Sequence, residues 1–270
     1  MQKGQVRRIL ILGTTYPNHS KTYVETVCTG GIFEDTKEMC RLYPIPRRYL
    51  EPEHRFKKFQ IIRARVWPDP SDPRPESYKI DAESIEPMEV IPSSKSELRR
   101  AFLEQSPHLC KSVEELLERQ KEKGTSLGIV CPDSITDVSI GLRPASERRE
   151  WEEKEQARQQ QERLFGSKPK PLDFPEALFY VHWLCADERC AKPHRMSLHE
   201  WGLHELYRKL AGNPDREEKV KAAMMRHLDE GERDLFLFLG NFRSTMYNFG
   251  LMDSYSAPAR AIRPQPSLFT

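Results

Sequence analysis

No stretch of this 270-residue chain comes near the roughly 18 consecutive apolar residues that a membrane-spanning helix needs. An excess of charge of one sign is missing as well. The 43 basic residues face 41 acidic ones, for a net charge of +2, so no global field favours nucleic acid and any such footprint must be local. Neither G-x-G-x-x-G nor G-x-S-x-G occurs, which leaves dinucleotide binding and acyl transfer without support. The "CTGG" at 28–31 has neither the length nor the lysine of a phosphate loop. There are six cysteines and no secretion signal, because the apolar stretch from Ile9 to Leu12 is too short for a signal-peptide core. The expectation is a cytoplasmic protein with reduced thiols and no membrane partner.

What is present reads as an α+β chain. Residues 1–92 form a β-rich domain, with "VRRILIL" and "FQIIRARVW" at strand density and proline-marked turns between them. Residues 93–170 read as helices and a charged connection. Within it, "SVEELLERQKEKG" has Ser112 as N-cap, Glu115 three residues on and Gly124 as stop. "TSLGIVCP" is a short buried-strand candidate. "ASERREWEEKEQARQQQERLFG" carries at best one apolar residue per turn, as a solvated helix or a helical linker does. Residues 171–256 predict a β-α-α-β-β domain: the strand "EALFYVHWLC", a helix with Leu198, Trp201, Leu203 and Leu206 near one face, a second helix "REEKVKAAMMRHLDEG", and the strands "DLFLFLGN" and "MYNFGLMDSY". Residues 257–270 read as a disordered tail.

The sharpest chemical motif is "CADERCAKPH", which places Cys185, Cys190 and His194 at C-x4-C-x3-H spacing between a strand and a helix. Thiolates and a neutral imidazole suit zinc, and a thiolate-rich closed site is structural more often than catalytic. His199 is the expected fourth ligand, with His204 and an N-terminal cysteine as alternatives; two buried thiols and a surface histidine are the bland reading. "HEWGLHE" is not a zincin motif, because His199 and His204 are five apart and that motif needs four.

One local basic stretch stands out. Arg41, Arg47, Arg48, Lys57, Lys58, Arg63 and Arg65 are interleaved with Tyr43, Tyr49, Phe56 and Phe59. Cations neutralise phosphates and rings stack on bases, so these residues are candidate nucleic-acid contacts; an ordinary sheet with basic outward positions has the same composition. The loop "DPSDPRPESYK" holds Asp69, Asp72, Glu76 and Lys79, but its spacing and three prolines fit a charged loop better than a hydrolytic site.

Two resemblances follow from these residues. The C-x4-C…H segment, the "EW" and "LYRKL" helix and the "FLFLGN" strand together resemble an uncharacterised family of prokaryotic cytosolic proteins over residues 175–252, with Pro193 where that family would be expected to carry glycine. The terminal "QPSLF" resembles the peptide by which bacterial replication and repair proteins bind the DNA sliding clamp. It has Gln265 first, Leu268 and Phe269 closing, and Pro266 at the second position, where leucine is common. The resemblance implies Gln265 hydrogen-bonding at a groove rim and Leu268 and Phe269 filling an apolar pocket. "QERLF" at 161–165 fits the same loose pattern within a charge-rich segment.

Three functional classes are consistent with this inventory. One is a DNA-metabolism accessory protein with zinc, binding nucleic acid and recruited by the clamp. The second is a metal-dependent nuclease or other hydrolase. The third is a protein-interaction module without catalysis.

Overall fold

A computed structural model describes residues 4–20, 24–160, 170–228 and 233–259. The terminal peptide, with Gln265, Leu268 and Phe269, lies outside the described residues, as does 161–165. The N-terminal strands are β1 (Gln5–Thr14), β2 (Asn18–Ser20), β3 (Val24–Phe33), β4 (Met39–Ile45), β5 (Gln60–Pro68), β6 (Ser77–Ile80) and β7 (Glu86–Val90). The long strand β1 explains their arrangement. It pairs with β3 over its second half and with β5 over its first half. The sheet therefore closes: β1 to β3, β3 to β4, β4 parallel to β6, β6 to β5, and β5 back to β1. Numbering the five barrel strands along the chain gives the order 1-2-3-5-4-1, the connectivity of an OB-type barrel. Alternation sorts "ILIL" in β1: Ile9 and Ile11 enter the barrel core, while Leu10 and Leu12 face outward into a second core.

That second core is shared with the rest of the chain, which contains α1 (Ser96–Glu104), β8 (Leu109–Cys110), α2 (Val113–Lys123), β9 (Leu127–Val130), β10 (Pro132–Leu142), α3 (Ala145–Gln160), β11 (Ala177–Cys185), β12 (His194–Leu198), α4 (Trp201–Lys209), α5 (Arg216–Leu228), β13 (Arg233–Phe242) and β14 (Thr245–Pro258). Its seven strands form one sheet in the order β10-β11-β12-β14-β13-β9-β8. In β13 every position of "LFLFL" is buried. Leu235, Leu237 and Leu239 pack toward α2, α4 and α5 with Leu116, Leu203 and Val220, whereas Phe236 and Phe238 pack against the barrel with Leu10, Leu12 and Ile61. The molecule is thus layered as helices, sheet and barrel. No helix among the described residues is long and apolar enough to cross a membrane.

The α+β class stands, with three corrections to the sequence reading. First, 93–170 is no simple connection: β8, β9 and β10 belong to the second sheet and α2 packs on it, so the joint falls near 105–109. Strand β10 escaped notice because it is an edge strand with a mostly polar, half-exposed pattern. Second, the residues at 194–198 form β12, and the helix begins at Trp201, so the second half runs β-β-α-α-β-β from Ala177. Third, α3 is polar but docked. Its Glu155 and Arg158 are buried, Arg158 donates to the Tyr49 hydroxyl, and His19 Nε2 lies 2.9 Å from Glu155. Burial opposes ionisation of Glu155, yet hydrogen bonds from Arg158, Gln159 and His19 hold its carboxyl at about 2.

Truncating Phe238 to alanine removes a fully buried ring from the barrel-facing core and should cost about 3–5 kcal/mol. Val6→Ala, at an exposed position of β1, should stay within about 0.5 kcal/mol. Urea unfolding midpoints of the two variants check this ordering.

Candidate metal centre and basic cleft

Helix α2 starts as its sequence dictates: Ser112 Oγ accepts from the Glu115 amide at 3.2 Å, and Gly124 closes the helix with φ 72°. The same Ser112 hydroxyl hydrogen-bonds Asp187 at 3.0 Å, and Arg189 pairs with Glu118 at 2.6 Å. These contacts bind the β11–β12 loop to the first turns of α2. Glu114 in that turn is thereby placed beside the loop cysteines.

The resulting group is Glu114, Cys185, Cys190 and His194, with ligand atoms all within 4.8 Å of one another. Cys190 Sγ lies 3.2 Å from His194 Nε2, which lies 3.3 Å from Glu114 Oε1. Glu114 Oε2 is buried and has no hydrogen-bond partner. Burial pushes the Cys185 thiol up to about 11, with Cys190 adding to the rise; a bound cation removes that penalty by stabilising thiolate. Two sulfurs, one imidazole and one carboxylate with an unsatisfied oxygen make a set that can hold a metal ion.

His199 is not part of it. Five residues of extended chain carry it ~16 Å beyond His194. There its Nε2 sits 2.8 Å from Ser197 Oγ and its ring lies 5.5 Å from that of Phe242. Burial, with the positive charge of Arg143, pulls its imidazole down to about 4, so the ring is neutral at pH 7. His204 is likewise buried, between Tyr16 and Phe179. Glu114 went unread because an acidic residue in a first helical turn already has an explanation in the helix dipole.

The basic stretch does not form one surface. Arg41 is only 4% exposed and donates to Ser77, Ser126 and the Asn241 carbonyl. Burial lowers its pKa. Arg47 lies over the buried Phe56 ring at 4.4 Å. Arg48 pairs with Glu25, Lys58 with Asp253, Arg63 with Glu86 and Arg65 with Asp81. Phe56 and Phe59 are core residues, unavailable for stacking. Lys57 is exposed.

Two members of the stretch, Arg41 and Tyr43, instead line a cavity of about 460 Å³ between the barrel and the second sheet. Its walls come from β3 and β4, the 69–79 segment, the end of β10 and the β13–β14 hairpin. Arg41, Arg74, Lys79, Arg143 and Arg243 supply five cations against two carboxylates, Asp69 and Asp72. The acidic loop is neutralised from within. Asp72 pairs with Arg74 at 2.6 Å, which holds the carboxyl at about 2 although burial opposes this, and Asp69 pairs with Lys79 at 3.3 Å. Glu76 is buried and accepts from Ser126. Gly250 lets Phe242 and His199 pack closely at the wall: a Cβ there would lie 2.9 Å from the Phe242 ring and 3.3 Å from His199 Nε2.

A family model described as a domain of unknown function (DUF8757) matches residues 109–270, more than half of the chain, and the chain belongs to that family. A second model, also a domain of unknown function (DUF8758), matches residues 5–105. The two meet where the structure places the joint between barrel and second sheet. No curated protein matches the chain.

Elemental mass spectrometry of untagged protein should find about one metal ion per chain. Cys185→Ala/Cys190→Ala should contain none, and Glu114→Ala should lose the ion more readily to a chelator. His199→Ala should retain it. A metal-free wild type would remove the site.

Proposed function

We propose that the protein is an accessory factor of DNA metabolism that binds a nucleic-acid strand in the cleft between barrel and sheet, and that the Glu114–Cys185–Cys190–His194 group holds a structural zinc ion. The barrel's strand order alone assigns no function, since one fold hosts many. The observation that carries the reading is the cleft lining, where five cations outnumber Asp69, Asp72 and the Glu147 carboxylate on Arg143, beside the rings of Tyr43, Tyr78 and Phe242. Phosphates need the first and bases stack on the second. The contact surface is therefore this cleft, replacing the 41–65 stretch as a whole.

Zinc suits a four-ligand set with two thiolates, and four protein ligands leave no open position for a substrate, which favours a structural role. The hydrolase alternative has less support, because the acidic loop beside the cleft spends its carboxylates on Arg74, Lys79 and Ser126. Recruitment through "QPSLF" remains part of the proposal on the residues of the tail alone.

Fluorescence anisotropy with a single-stranded oligonucleotide tests strand binding. Binding should be clear at low salt and should weaken with a log–log slope of about −0.7 per neutralised phosphate. Arg143→Ala/Arg243→Ala should weaken it about tenfold or more. Absence of binding at the lowest salt would leave the interaction-module reading. Deleting the last six residues should abolish retention on immobilised sliding clamp without moving the unfolding midpoint; unchanged retention would refute recruitment by the tail.

A further inference from the structure

The cleft is small for a strand and carries unmet hydrogen-bonding capacity. A cavity of about 460 Å³ lies at the lower end of ligand-site volumes and accommodates one nucleotide rather than a run of them. Asn241 is 4% exposed; its Nδ2 donates to the Met246 carbonyl at 2.8 Å, which fixes the amide and leaves buried Oδ1 without a partner. Arg143 contributes a buried Nε–H that is likewise unpaired. Both residues line the same cavity. A buried acceptor and a buried donor without partners are costly, and a small side-chain shift toward the cavity would let a ligand that offers an N–H and an anionic oxygen satisfy each.

The surroundings narrow that ligand further. Arg243, on the hairpin, donates to the Ser71 carbonyl at 2.7 Å and has no carboxylate on it among the described residues. Arg143 pairs with Glu147 at 3.0 Å through Nη1, so Arg243 is the cation that leaves positive charge at the mouth, and Arg143 adds its unpaired Nε–H. The rings of Tyr43, Tyr78 and Phe242 bound the same space, and His199 beside them is neutral, so it adds a polar edge without charge. A planar amino-bearing base satisfies Asn241 and the rings. An anion satisfies the arginines. A phosphate monoester carries about −1.5 to −2 charge at pH 7, with a second pKa near 6, whereas an internal diester carries one.

Building on the proposed cleft binding, we infer that the cavity takes a single nucleotide bearing a phosphate monoester, through Asn241 on the base and Arg243, with the Arg143 Nε–H, on the phosphate. Two sources share this chemistry, a free nucleoside monophosphate and the phosphorylated end of a strand; the strand end is the ligand that unites the inference with strand binding.

Competition anisotropy on the full chain decides it. The probes are 12-nucleotide single strands with a 5′-phosphate, a 3′-phosphate or hydroxyls at both ends, a circular single strand, deoxycytidine monophosphate and inorganic phosphate. At least one phosphorylated end should bind about tenfold tighter than the hydroxyl-ended or circular strand, the scale of one charge-assisted hydrogen bond. The monophosphate should compete and inorganic phosphate should not. Arg243→Ala should shrink the preference for the phosphorylated end to under about threefold. Equal binding of all strands would overturn the inference while leaving cleft binding intact. Competition by inorganic phosphate as strong as that by the nucleotide would overturn the base contact. Binding of the monophosphate with no strand bound at any salt would support the site chemistry and defeat the strand-binding reading.

Discussion

A strand that is apolar at every position must be covered on both faces, and β13 imposes that condition on everything around it. Leu235, Leu237 and Leu239 need the helices, while Phe236 and Phe238 need the outer face of the barrel. Each such side chain contributes about 1.5–3 kcal/mol when fully buried. The barrel has the matching requirement. Leu10, Leu12, Ile32, Met39 and Ile61 point away from its interior and find cover only on the second sheet. Two family models meet near residue 107, yet a single core runs across that joint. The cleft lies beside β4 and β6, where Arg41 bonds Ser126 and the Asn241 carbonyl in place of an apolar contact.

Much of the fold was readable from local signals. The apolar runs of β1, β5, β9, β11 and β13 are strands, and α2 has the start and stop its Ser112 and Gly124 announce. Closure of the barrel was not readable, because it depends on β1 pairing with two partners along different halves of its length. The docking of α3 was also hidden. Its contacts are the His19–Glu155 pair, Arg158 on the Tyr49 hydroxyl and an aromatic cluster around Trp151, on a helix whose composition is that of a solvated one. At the metal group, the local C-x4-C-x3-H spacing announced three members. The fourth, Glu114, lies 71 residues before Cys185 in sequence and joins them through the Ser112–Asp187 and Arg189–Glu118 contacts. The cleft is harder still to read, since Arg41, Arg74, Arg143 and Asn241 come from four separate segments that share no pattern.

The positions of these two sites bear on what a metal held there could do. Strand β12 runs between them: His194 at its start belongs to the metal group, and His199, just past its end, lines the cleft. Five extended residues separate the two by ~16 Å. An ion held at His194 is therefore too far to polarise a bond or activate water in the cleft, tasks that need direct coordination. Cys185 and Cys190 pack with the core on the helix side of the sheet, while the cleft opens on the barrel side. What an ion could do from there is mechanical. It would fasten the β11–β12 loop to the first turn of α2 and so fix the start of β12, beyond whose far end His199 lines the cleft. Loss of such an ion would then reach the cleft through the placement of β12 rather than through chemistry.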